Sequence, residues 1–316
     1  MKLFNIIKNI LHRFPEVHRL LTYKTQTRTD SDLYNVTLIS QHGIIKHNTP
    51  DGVVYDAAKV YGNRLILRPY LLKRKPKQIY HGHAIYGCGM YTPTWYHWIW
   101  DVCLNWSPLL GREPTNSKVP MIVPKTAFDK PYYIDALRLF GITNPVMPHE
   151  GGSMEVGHLE VHRDAVPFKW EVFEPLRKAL NLTDKPIKGG WIFLNRKPTE
   201  RRTLVNSEEI KHLIESYGYE EVFIEDYSVE DQIGLINSAE KIIILHGSSM
   251  AMFWALSKNA NVIEIASFYN YTDIVRRCCQ MTDSSCMTVN VEHTMKGYWL
   301  NPDALEYILK TYGGLE

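Results

Sequence analysis

Three places in this 316-residue sequence gather residue types that do chemistry. In Trp95-Tyr-His-Trp-Ile-Trp-Asp101, His97 and Asp101 stand four apart, which puts them on one face of a helix and within reach of each other. Such a pair can take a proton from a substrate hydroxyl, either with Asp101 as the general base or with Asp101 orienting a basic imidazole. The same spacing also serves a plain hydrogen bond within a packed helix. In the loop Asn195-Arg-Lys-Pro-Thr-Glu-Arg-Arg-Thr203, the cations Arg196, Lys197, Arg201 and Arg202 fall together. Guanidinium groups match phosphate oxygens bidentately, although a basic loop can also simply be solvated. The third place is His246-Gly-Ser-Ser249, directly after the apolar run Ile242 to Leu245. A helix opening after Gly247 would aim free N–H groups and its positive pole at an anion, and Ser248 or Ser249 could cap it or donate to a phosphate. Many such turns only connect elements.

Glu264, at the end of the next apolar run, could accept from ribose hydroxyls or make a cap or salt bridge. His81 and His83 alternate on one strand, but no third residue stands at a metal-ligand spacing, so no metal is expected. The glycine fingerprint of dinucleotide sites and the Walker lysine motif are both missing. Five cysteines without a paired C-x-x-C spacing exclude a disulfide framework or a zinc site as the organising feature.

These residues need a scaffold, and the second half of the chain supplies a regular one. Strands at Trp191–Leu194, Glu221–Ile224, Ile242–Leu245, Val262–Ile265 and Met287–Val291 alternate with helices at Ser207–Tyr217, Val229–Ser238 and Ser249–Leu256. An apolar-spaced segment, Tyr271–Cys279, and a closing helix, Pro302–Tyr312, complete the series. Strands alternating with helices predict a parallel sheet wrapped on both faces, with ligands at its carboxyl edge. The arginine loop, the Gly247 turn and Glu264 all fall at that edge. Earlier, a hairpin is expected around Gly62-Asn63, a strand at Gln78–Tyr86 and a tryptophan-rich helix at Trp95–Leu110. Beyond these lie a strand at Val119–Val123, a helix at Tyr132–Phe140 and a helix at Pro167–Leu180. Residues 15–50 give little regular pattern. The polar, glycine- and proline-bearing stretch 181–190 marks the boundary between the halves.

The length suits about two domains, and an apolar fraction of 45% is that of an ordinary globular chain. A net charge of +2 does not indicate a nucleic-acid partner. Eight Trp and nineteen Tyr suit an aromatic-lined cleft, or ordinary core use. No apolar run reaches the length of a membrane span. In residues 2–14, Leu3, Phe4, Ile6, Ile7, Ile10, Leu11 and Phe14 follow helical spacing among Lys2, Lys8, His12 and Arg13. This helix would lie either on an anionic membrane surface or on its own domain. The pattern is not that of a signal peptide, so a cytoplasmic protein, bacterial or viral, is expected.

Taken together, the motifs resemble glycosyltransferase family 61, a group that includes eukaryotic protein O-GlcNAc and O-mannose-extending transferases, plant xylan-decorating transferases and bacterial or viral polysaccharide relatives. Tyr96-His-Trp-Ile-Trp-Asp101 is similar to its aromatic-His-Trp-x-x-Asp element. Phe193-Leu-Asn-Arg196 with Arg201-Arg-Thr-Leu-Val-Asn206 looks like its arginine-rich loop, and Ser228 to Glu264 is similar to its helix, strand, His-Gly-Ala-Gly-Leu turn and closing strand. One departure stands out: Ser249 occupies the place where the family usually has a second glycine.

The resemblance implies a GT-B architecture: an acceptor-side domain over 1–182, a nucleotide-sugar domain over 183–300, and a helix in 301–316 returning to the first domain. It implies an inverting, metal-independent transfer from a nucleotide sugar, UDP-linked, to a glycan hydroxyl, with no further cofactor. In that scheme Asp101 or His97 is the base. Asn195, Arg196, Arg201, Arg202, His246, Gly247, Ser248, Ser249 and Glu264 hold the donor. The competing expectation is a non-catalytic nucleotide- or glycan-binding scaffold of a synthesis complex, with a phosphate-ester hydrolase a third reading.

Overall fold

The computed structural model describes residues 31–39, 44–47, 54–56, 78–88, 94–112, 116–151, 153–161, 166–197, 203–267, 272–294 and 297–312, the first three stretches by their backbone alone. The amphipathic helix expected over 2–14 and the hairpin turn at Gly62-Asn63 lie outside them, as do Arg201 and Arg202.

Seven strands build the first sheet: β1 (Ser31–Ile39), β2 (Ile44–His47), β3 (Val54–Asp56), β4 (Gln78–Tyr86), β5 (Met121–Pro124), β6 (Val146–His149) and β7 (Ser153–Val161). Their order is β3-β2-β1-β7-β4-β5-β6. Strands β7, β4, β5 and β6 run parallel, and β1 joins β7 antiparallel with Ser31 opposite Val161. Two of these strands fall in residues 15–50, where the residues follow little regular pattern.

Between β4 and β5 the expected long helix is in fact three pieces. An α-helical turn, α1 (Trp95–His97), passes into a π-helix (Trp98–Cys103), and a 3-10 turn (Pro108–Leu110) follows. Between β5 and β6 come α2 (Lys125–Phe128) and α3 (Pro131–Leu139). Pro131 opens α3 where its missing N–H is no loss, and Gly141 ends the turn after it at φ 80°. Helix α4 (Trp170–Ala179) leads into the connecting stretch.

The second sheet holds β8 (Trp191–Asn195), β9 (Glu220–Phe223), β10 (Lys241–Leu245), β11 (Asn261–Ala266) and β12 (Ser285–Asn290). All pair parallel, in the order β12-β11-β10-β8-β9. Chain direction across the sheet reverses at β8 and β10, the switch point where doubly wound sheets bind ligands. Helix α5 (Ser207–Ser216) covers one face. On the other lie α6 (Val229–Ser238), a 3-10 helix (Ser248–Ala255) and α7 (Ile274–Met281). Ser228 caps α6 by accepting from the Asp231 N–H at 3.1 Å. A small ladder of β13 (Glu292–Thr294) and β14 (Gly297–Trp299) precedes α8 (Pro302–Tyr312).

Two sequence expectations are corrected here. Helix α8 does not return to the first half. Its apolar residues Leu305 and Leu309 are fully buried with Ile210 and Ile214 of α5, and Glu306 accepts from the Tyr217 hydroxyl at 3.3 Å. The segment after Gly247 is a 3-10 helix rather than an α-helix, capped by Gly247 and by neither serine.

One apolar cluster runs through both halves: Ile85, Trp98, Met121 and Phe173 share it with Leu194, Ile244, Phe253 and Trp254. Among the described residues no helix is long and apolar enough to cross a membrane.

Candidate active site

Strand β10 is buried along its whole length and delivers His246 and Gly247 at its carboxyl end. Glu264 stands beside Ile244 in the register with β11, so it shares a face with His246 two residues on. The imidazole Nδ1 and the Glu264 Oε1 are 2.6 Å apart, with His246 4% and Glu264 0% exposed. Glu264 therefore holds and orients an imidazole. Of the roles expected for it, this contact is the salt bridge.

Gly247 has extended backbone, φ 170° and ψ −157°. A Cβ on it would lie 2.8 Å from Nη1 and 3.1 Å from Cζ of Arg196, so the guanidinium rests against the glycine. Arg196 comes from the end of β8, and thus the structure joins the arginine loop and the glycine turn at the switch point. Asn195 is what fixes the arginine's backbone. Its buried amide donates to Glu221 at 2.7 Å, and its Oδ1 accepts from the Arg196 N–H at 2.8 Å. Asn195 is thus a support for Arg196. Lys197 is ion-paired with Asp226, and its N–H donates to Glu225. Downstream, Asn206 pins the far end of the loop by bonding both ways with the Leu300 backbone.

Ser248 is partly exposed, whereas Ser249 is buried. The Ser249 Oγ and the Glu264 Oε2 have no hydrogen-bond partner among the described residues. Buried polar atoms without partners are uncommon, and here two of them lie around one turn.

On the other side, His97 Nδ1 and Asp101 Oδ2 lie 2.8 Å apart, with side chains 17% and 29% exposed. The pair seen in the sequence exists. It spans the junction of α1 with the π-helix, a form of helix frequently found at functional sites. Two indole bonds fix it to the second half. Trp100 donates to the Ala251 carbonyl of the 3-10 helix at 3.1 Å, and Trp95 donates to Gln232 of α6 at 3.1 Å. The rest of the segment is sunk in the core, so the partly open His97–Asp101 face is held beside the Gly247 turn's own helix.

One supporting residue is not apparent from the motifs. Arg177 of α4 is 2% exposed and donates to the carbonyls of Ala255 at 2.8 Å, Leu256 at 3.1 Å and Thr183 at 2.7 Å. It grips the carboxyl end of the 3-10 helix, and burial pulls its pKa down to about 10. Asn237 of α6 bonds the same Ala255 carbonyl at 3.1 Å. The sequence did carry a signal: Arg177 stands four after Phe173, on the apolar stripe of its helix.

His83 does not share a ligand set with His81. The ladder slips between Tyr80 and His83, and His83 instead stacks on His158 at 3.9 Å with Glu160 at 3.5 Å. Among the described residues no three His, Cys, Asp or Glu side chains gather as a metal set.

A parallel, doubly wound sheet with a guanidinium against a glycine turn at its switch point is an α/β protein of Rossmann-like build. Residues 95–263 match the family glycosyltransferase 61. The chain belongs to that family and is a glycosyltransferase. The match opens at Trp95 and spans every candidate residue except Glu264, which lies one position beyond it. No curated protein matches the chain.

Proposed function

We propose that the protein is an inverting, metal-independent transferase that moves a sugar from a UDP-sugar to a glycan hydroxyl. The observation that carries this reading is the meeting of Arg196 with Gly247 at the switch point, on a helix bonded to the segment bearing His97 and Asp101. Arg196 would take the diphosphate with Arg201 and Arg202, and the Gly247–Ser249 turn would add N–H and hydroxyl donors. Fixed cations and dipoles then offset the charge of the departing nucleoside diphosphate, the role a divalent ion fills elsewhere. Asp101, oriented by His97, would remove the proton from the acceptor hydroxyl as it attacks the anomeric carbon from the face opposite the leaving group. The GT-B description and its division at residue 183 belong to this proposal. They are supported by the base pair and the donor turn coming from different sheets.

The test is UDP release from a panel of UDP-sugars by purified protein in EDTA. Wild type is expected to turn over at least one donor. Arg196→Ala should raise the donor KM about tenfold or more, the loss of one charge-assisted contact. Asp101→Asn should lower kcat by roughly 10²–10⁴. Absence of binding to any nucleoside diphosphate in a thermal-shift panel would overturn the proposal, and full cellular function of Asp101→Asn would favour the scaffold reading.

A further inference from the structure

The hydrogen-bond ladder around Asp101 changes step. The Leu104 N–H bonds to the Ile99 carbonyl, five residues back, at 2.8 Å. The Trp106 N–H bonds to the Val102 carbonyl, four residues back, at 3.0 Å. Between these two bonds lie two carbonyls, those of Trp100 and Asp101, but only one N–H, that of Asn105. Where the π-helix gives way to ordinary winding, the ladder thus holds one carbonyl more than it has N–H groups.

The side chain of Asn105 fills that gap, its Nδ2 donating to the Asp101 carbonyl at 3.2 Å. The amide's orientation follows from chemistry, because a carbonyl can only accept, so the group facing it must be the NH₂. The Oδ1 left over is buried and has no hydrogen-bond partner among the described residues. Leaving a buried amide oxygen unbonded is unfavourable. An alanine would have brought no amide oxygen to this place, but also no donor to the Asp101 carbonyl. Asn105 also stands four residues after Asp101, which itself stands four after His97, so the three share one stripe of the helix.

We infer that Asn105 is a positioning residue for Asp101: its amide closes the step in the ladder and fixes the backbone from which the Asp101 carboxylate reaches His97. This rests on the reading of Asp101 as the base. The amide acts on the reacting groups only through Asp101, so its effect belongs on kcat and not on donor binding.

The experiment is a double-mutant cycle on UDP-sugar turnover with Asn105→Ala, Asn105→Asp, Asn105→Gln, Asp101→Asn and the Asn105→Ala/Asp101→Asn pair. Asn105→Ala and the near-isosteric Asn105→Asp, which lacks the donor, are expected to lower kcat about tenfold. Their donor KM should stay within about twofold of wild type, with folding confirmed by circular dichroism. Asn105→Gln, which keeps an amide, should recover most of the rate. In the Asp101→Asn background, Asn105→Ala should cause no further loss, because the group it positions is already gone. Wild-type kcat in both Asn105→Ala and Asn105→Asp, or additive losses in the double variant, would overturn the inference. If Asp101→Asn itself keeps wild-type kcat, the assignment of the base fails, and the inference with it.

Discussion

Gly247 is required for room. Its φ lies in ordinary extended backbone, but a methyl group would sit 2.8 Å from the Arg196 guanidinium. The guanidinium would have to move away from the turn, while the buried strand behind it stays in place. Gly247→Ala is therefore expected to raise the donor KM by roughly ten- to a hundredfold, from about 1.5–3 kcal/mol of charge-assisted binding, with little change in melting temperature. Steady-state kinetics beside a thermal melt would separate these effects. At this scale the sequence was informative wherever spacing was short. The four-residue interval of His97 and Asp101 requires only a helix, and a helix of either winding brings them together. The partner of Glu264 was not legible, because the strand pattern places it at the ligand edge but does not reveal that it pairs with His246. A face shared across two strands eighteen residues apart is a property of register, which a single sequence does not contain.

Two elements of the site are wound differently from what periodicity suggests: the π-helix at Trp98–Cys103 and the 3-10 helix at Ser248–Ala255. The 3-10 helix is almost wholly buried, and within the π-helix Asp101 is the one charged residue, so neither element by itself holds enough polar positions to reveal its period. By contrast α6 and α8 keep one solvent face, and their limits follow from the sequence. The 3-10 helix depends on what grips its end. Arg177 supplies hydrogen bonds to three carbonyls from a buried position. Arg177→Met keeps much of the volume and removes those donors. It is expected to destabilise the protein by about 2–4 kcal/mol, since each stranded buried carbonyl is unfavourable by about 1–3 kcal/mol and part of the cation's own burial penalty is relieved. A denaturant titration measures this directly, and an unchanged midpoint would show that water replaces the guanidinium at no loss.

The whole molecule is governed by one apolar cluster that crosses between its two sheets. Trp254 is central to it, fully buried, stacked on Phe173 of α4 and edge-on to Phe140 beyond α3. Halves joined in this way should unfold together. Trp254→Ala is expected to cost about 3–5 kcal/mol and to shift far-UV dichroism and tryptophan fluorescence transitions by the same amount. Two separated transitions would show that the halves melt independently. The alternating rhythm after residue 190 made the second sheet legible, because each βα repeat is local. In the first sheet the strands at Gln78–Tyr86 and Val119–Val123 were legible, but the β1–β7 pairing was not, because it spans the length of the intervening half and only long-range register creates it.

The 3-10 winding of Ser248–Ala255 also sets a distance. Eight residues rise about 16 Å at ~2.0 Å each, against about 12 Å as an α-helix. Both ends of the segment are fixed, one at Gly247 under Arg196 and the other at the carbonyls that Arg177 and Asn237 grip. It behaves as a strut of set length between the Gly247 turn and the connecting stretch between the two halves. What this part of the chain must conserve is its number of residues, as strictly as their identity.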